Sequence, residues 1–154
     1  MNEERQINYR LVAEQAEALL SGQSNRIANA ANLSALLMLE LSEVNWVGFY
    51  FLQDETLILG PFQGKPACFE IPLGQGVCGT AAASGKLQRV ANVHEFPGHI
   101  ACDTASESEL VVPLFKDNEL IGVLDIDSPF PDRFDEKDEI GLSRLAKVYE
   151  NSIK

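Results

Sequence analysis

Positive charge is scarce in this chain. Twelve Lys and Arg stand against twenty-three Asp and Glu, a formal net charge of −11 over 154 residues. That balance argues against a general nucleic-acid binder, which needs a Lys/Arg footprint to displace phosphate counterions. The same sign argues against an anionic membrane surface. Long apolar runs are missing too, and none approaches the roughly 20 residues of a membrane span. The opening "MNEERQINYR" is polar and lacks the apolar stretch of a secretory signal. These absences predict a cytoplasmic protein with no nucleic-acid or membrane partner, open to a cationic or zwitterionic small molecule.

Cysteine is sparse and irregularly spaced. Cys68, Cys78 and Cys102 are the only three, with gaps of 10 and 24 residues. No C-x2-C occurs, and the only close pair of candidate ligands is His99 and Cys102, so no metal site is expected. In a reducing compartment a permanent disulfide framework is disfavoured, and the thiols should rest reduced. The ordinary role of any one of them is that of a small buried hydrophobe.

What is present is a clear change of period along the chain. "ERQINYRLVAEQAEALLS", from residue 4 to about 21, places Leu11, Val12, Ala16, Leu19 and Leu20 on one helical stripe. "SGQSN" breaks it, and Ser24 or Asn25 is positioned to cap a second, more apolar helix through about residue 41, striped by Ile27, Ala30, Leu37 and Leu41. "WVGFYFL" and "TLILGPF" then read as strands around a "QDE" turn. A Gly/Pro-rich loop ends in the short helix "VCGTAAASG", and "LQRVANV" reads as a brief strand. "ELVVPLF" and "ELIGVLDI" form a second hairpin about "KDN". The acidic "DEKDEIGLSRLAKVYENSI", residues 135–153, closes the chain as a helix whose first turn suits its dipole. The order predicts one α+β domain over residues 1–154: helices at about 4–41, an antiparallel sheet with its loops at about 45–128, and a last helix packed on it.

Three features carry chemistry. In "IGVLDIDS", Ile121, Val123, Asp125 and Asp127 share one strand face, with Leu120, Leu124 and Ile126 on the other. A strand apolar on both sides is central, and two acids at its end repel, so partial burial should raise the pKa of at least one. Glu109 joins them if the hairpin loop holds three residues, whereas a two-residue loop points it to the far face. Pro113 invites a bulge, and both registers stay open. Crowded acids at a sheet end suit a waiting cation, with an organic ammonium fitting better than Mg²⁺ or Ca²⁺. "GQGVCG" lacks the Lys-Ser/Thr ending of a phosphate loop but offers backbone N–H groups at a helix start, where an anion is held and a Cys78 thiolate is favoured. Trp46 and Tyr50 share a strand face and are either core or the wall of a pocket for an apolar or sulfur-bearing group. His94 belongs to a polar loop, and His99 lies three residues from Cys102.

The segments "GPFQGKPACFEIPLGQGVCG", "FPGHIACDTASESELVVPLF" and "IGVLDIDSP" closely resemble the free methionine-(R)-sulfoxide reductases, a catalytic branch of the GAF domains. The resemblance implies a GAF-like (PAS/GAF) fold and reduction of free L-methionine (R)-sulfoxide to L-methionine. It implies that Cys102 attacks the sulfoxide sulfur and is left as a sulfenic acid, that Cys68 resolves it as a disulfide, and that Cys78 is an auxiliary thiol. It further implies that Glu109, Asp125 and Asp127 bind the ammonium group and assist protonation, with Trp46 and Tyr50 walling the methyl-sulfur end. No bound cofactor is implied; thioredoxin is the reductant, with NADPH acting indirectly through thioredoxin reductase, and a homodimer is the family's usual state. The rival reading is a non-catalytic GAF sensor of a small ligand or of redox state, which has no need of three thiols beside an acid cluster.

Overall fold

Two antiparallel hairpins, joined side by side, make the centre of the sheet. In the computed structural model, which describes residues 7–98 and 105–154, β1 (Trp46–Gln53) and β2 (Thr56–Gln63) form the first. β5 (Ser108–Lys116) and β6 (Glu119–Ser128) form the second. β1 pairs with β6, and two three-residue strands, β3 (Glu70–Pro72) and β4 (Gln88–Val90), complete an antiparallel sheet of order β3-β2-β1-β6-β5-β4. β3 lies inside the stretch expected to be loop, and the strand expected over "LQRVANV" shortens to β4 followed by a 3-10 turn at Val93–Glu95.

The register of the second hairpin decides where the acids point. Its turn has two residues, Asp117 and Asn118, both left-handed at φ 53° and 64° as a type I′ turn requires. With that turn alone, Glu109 would face away from the aspartates. A bulge intervenes: Phe115 pairs with Leu120 and Leu114 with Gly122, leaving Ile121 without a partner on β5. The slip restores Glu109 to the position opposite Asp127. It also exchanges two apolar side chains relative to simple alternation. Leu120 packs on the face of Val123, and Ile121 on the opposite face with Leu124 and Ile126.

Among the described residues, four helices cover the two faces unequally. α1 (Tyr9–Leu20), α2 (Arg26–Glu40) and α4 (Glu136–Ser152) pack on the face of Val47, Phe49, Leu110, Leu124 and Ile126, which forms the main core. α1 starts later than the periodicity predicts because the Asn8 side chain caps it, accepting from the Leu11 N–H. Asn25 caps α2 by accepting from Ile27 and Ala28 N–H. Ile27, Leu11 and Leu19 are exposed rather than in the buried stripes, which run through Ala30, Leu33 and Leu37 on α2 and Val12, Ala16 and Leu20 on α1. Asp135 and Asp138 form a capping box at the start of α4. Among the described residues the other sheet face receives one helix, the short α3 (Gly76–Ser84), stopped by Gly85 at φ 68°. No helix is long and apolar enough to cross a membrane, among the residues described.

Candidate active site

The face carrying α3 holds most of the side chains singled out above. Trp46, Gly48 and Tyr50 project from β1 and pair in register with Asp127, Asp125 and Val123 of β6. Glu109 and Val111 of β5 pair with Asp127 and Asp125 on the other side. Cys78, in the first turn of α3, lies over these acids, its Sγ 3.7 Å from Glu109 Oε2. All four polar members are buried: Cys78 and Asp125 are 4% exposed, Glu109 8% and Asp127 9%. His99, Cys102 and Asp103 lie outside the described residues.

Burial governs the electrostatics. The Asp125 carboxyl titrates well above the usual 3.8, first because it is desolvated and then because Asp127 and Glu109 are close by. No Lys, Arg or His ion-pairs with Glu109 or Asp125 among the described residues. Asp125 Oδ1 is buried with no hydrogen-bond partner among the described residues. Cys78 corrects the expectation of a favoured thiolate: burial, and then Asp125, Glu109 and Asp127, push its thiol well up. A helix start worth a fraction of a charge cannot offset nearby carboxyls in a desolvated pocket. Cys78 is a free thiol, and this environment keeps it protonated.

The aromatic residues have a second role that their spacing did not reveal. Trp46 stacks on Phe62 at 5.2 Å and on Tyr50 at 6.0 Å between ring centroids. The Trp46 indole N–H also donates to the Lys65 carbonyl (3.0 Å), and the Tyr50 hydroxyl to the Cys68 carbonyl (2.9 Å). The two rings therefore tether the loop bearing half-buried Cys68 to β1. Gly48 was also missed. A Cβ there would overlap Phe62 and the Trp46 ring, so only glycine lets that ring lie beside the acids. A glycine inside a strand is the available sequence signal for such a close approach.

The glycine-rich loop is mostly self-satisfied. The N–H groups of Gly74, Gln75, Gly76 and Gly79 donate to Gly79, Pro72, Gly98 and Gln75 carbonyls. The Val77 and Cys78 amides, at the start of α3, have no acceptor among the described residues. Buried acids of β5 and β6, the start of α3 and the rings of β1 share one sheet face, a combination of groups suited to a small zwitterion. A separate cavity of about 710 Å³ lies between the α1–α2 turn and the end of α4, lined by Leu20, Gln23, Arg144 and Lys154, away from this face.

Comparison with known proteins places these features in context. The chain matches the GAF domain family over residues 15–153. It is 56% identical over 136 residues to the free methionine-R-sulfoxide reductase of Escherichia coli, covering 88% of this chain and 82% of that protein. Identity to protein YtsP of Bacillus subtilis is 53% over 152 residues, 97% and 93% of the two chains. Among solved structures, fRMsr of Staphylococcus aureus in complex with substrate aligns at a TM-score of 0.93 with 52% identity, covering 97% of each chain.

Proposed function

The chain belongs to the GAF domain family, in the branch that includes free methionine-R-sulfoxide reductases, and on that premise we propose that it reduces free L-methionine (R)-sulfoxide to L-methionine. The observation that carries this reading is the buried, mutually repelling set of Glu109, Asp125 and Asp127, with no ion pair to Glu109 or Asp125 among the described residues. A free amino acid supplies the missing cation as its ammonium group, which a peptide-bound methionine lacks. The Val77 and Cys78 amides are suited to its carboxylate, and the Trp46 and Tyr50 rings to its methyl-sulfur end.

In the proposed reaction the Cys102 sulfur attacks the sulfoxide sulfur and the S–O bond breaks. The oxygen ends on Cys102 as a sulfenic acid, methionine departs as the thioether, and thiol plus sulfoxide balance sulfenic acid plus sulfide. Asp125, which burial keeps protonated, is suited to give the oxygen its proton as the bond weakens. The Cys68 thiol then displaces water from the sulfenic acid to form a disulfide, preventing over-oxidation. A thioredoxin dithiol reduces that disulfide and is itself oxidised. Tyr50 supports this order of events by holding the Cys68 backbone against β1. Cys78, protonated and buried, is suited to an auxiliary role.

The test supplies each sulfoxide epimer of free methionine with thioredoxin, thioredoxin reductase and NADPH. NADPH oxidation is expected with the R epimer, and its absence while a known reductase turns over alongside overturns the reading. Cys102→Ser should yield no methionine in a single turnover. Cys68→Ser should yield about one methionine per chain and then recycle slowly, because the sulfenic acid has lost its partner thiol.

A further inference from the structure

We propose that Cys78, Glu109 and Asp125 form a binding site for a thiophilic divalent cation of the Zn²⁺ type. The three residues stand on three different elements, α3, β5 and β6, so regular structure rather than a loop sets their positions. One donor atom from each lies within 4.8 Å of the others. The 3.7 Å from Cys78 Sγ to Glu109 Oε2 is close to the roughly 3.5 Å that separates a sulfur and an oxygen on tetrahedral zinc, given Zn–S near 2.3 Å and Zn–O near 2.0 Å. A second observation points to a ligand: Asp125 is 4% exposed, and its buried Oδ1 has no hydrogen-bond partner among the described residues.

The donor set selects the metal class. One sulfur and two carboxylates suit a borderline-soft ion, whereas Mg²⁺ and Ca²⁺ take six or more oxygens and gain nothing from a thiol. Three protein ligands leave a fourth position open, as in sites where zinc keeps an exchangeable ligand. Binding replaces the Cys78 S–H proton and the Asp125 carboxyl proton by the metal and releases both protons to solvent. No electron moves, so the step needs no oxidant. The metal occupies the place that the proposed function gives to the substrate ammonium, and its inhibitory consequence rests on that reading. The binding itself does not.

The probe is Co²⁺, titrated into the full-length reduced protein and followed by its thiolate-to-metal charge-transfer absorption. The expected result is one equivalent bound with that band present, the band lost in Cys78→Ser, and Zn²⁺ affinity reduced by about tenfold or more in both Cys78→Ser and Asp125→Asn. Cys68→Ser and Cys102→Ser should keep the band. Absence of the band in the wild type, its persistence in Cys78→Ser, or its loss with either of the other two cysteines overturns the proposal. If Cys78→Ser does not fold, Asp125→Asn with unchanged Zn²⁺ affinity does the same. A protein that shows the band but reduces no sulfoxide refutes the reductase reading and leaves the metal site standing.

Discussion

At Asp125 a single carboxyl has been taken out of water beside two others. Its pKa stands above 3.8 in the folded state because of burial and of Asp127 and Glu109, while the unfolded chain titrates near the ordinary value of about 4. Between those two values the native state holds a proton that the unfolded state has lost, so stability falls as pH rises through the window and levels off above it. Asp125→Asn cannot ionise and should escape that loss. The melting-temperature difference, variant minus wild type, is expected to grow as pH rises above about 4. A difference that stays flat in thermal scans across this range contradicts the assignment. The residue identities here were legible from sequence, as was the repulsion of acids two apart. The pairing of Glu109 with them, and the pressure that keeps Cys78 protonated, depend on a register and a helix placement that no local spacing specifies.

The hairpin of β5 and β6 shows how an element transmits such a choice. Its two-residue turn alone would place Glu109 on the helix-covered face, and the bulge at Ile121 reverses this. Gly122 sits at the bulge, where an added Cβ would overlap the Tyr50 carbonyl oxygen of β1. Because that obstacle is backbone, Gly122→Ala should force β1 and β6 apart and cost about 1–3 kcal/mol of unfolding free energy in urea. The same displacement moves Asp125 and Asp127 relative to Trp46 and Tyr50, so KM for the sulfoxide should rise as well. Wild-type stability in the variant would show that the close approach is unimportant. Strand identity was readable from period two and from β-branched and aromatic content. Pro113 invited a bulge, which falls beside it at Leu114/Phe115; the register it sets was not readable, since that reflects the β1 backbone pressing on Gly122 from a segment about seventy residues earlier.

Over the whole molecule, the two sheet faces divide the labour. Three helices seal one face into the main core, and the other is left to α3 and the acids. A buried hub joins the sealing helices. The Arg133 guanidinium bonds Asp138 at the start of α4 (3.2 Å) and the Ser42 carbonyl beyond α2 (3.0 Å). Asp138 also accepts the Tyr9 hydroxyl of α1 (2.6 Å). With the Arg133 and Asp138 side chains 10% and 7% exposed, Arg133→Met leaves a carboxylate without its cation. The expected cost is about 3–5 kcal/mol in equilibrium urea unfolding. A loss below about 1 kcal/mol would mean the hub is solvated like a surface pair.

The sequence by itself determined the alternation of helix and strand, the two hairpins, the capping of α2 and the acidic end of β6. Each of those is a local matter of periodicity, turn residues and propensity within a few positions. Only the tertiary structure decided that Trp46, Cys78, Glu109 and Asp125, from four separate segments, meet on one face. Their convergence is set by strand register, by a bulge and by close backbone contact at Gly48 and Gly122, which are consequences of packing between distant segments. The chemistry of the site follows from the same cause. A carboxyl or thiol becomes a proton donor, an ammonium receptor or a metal ligand through the water it loses and the charges brought beside it.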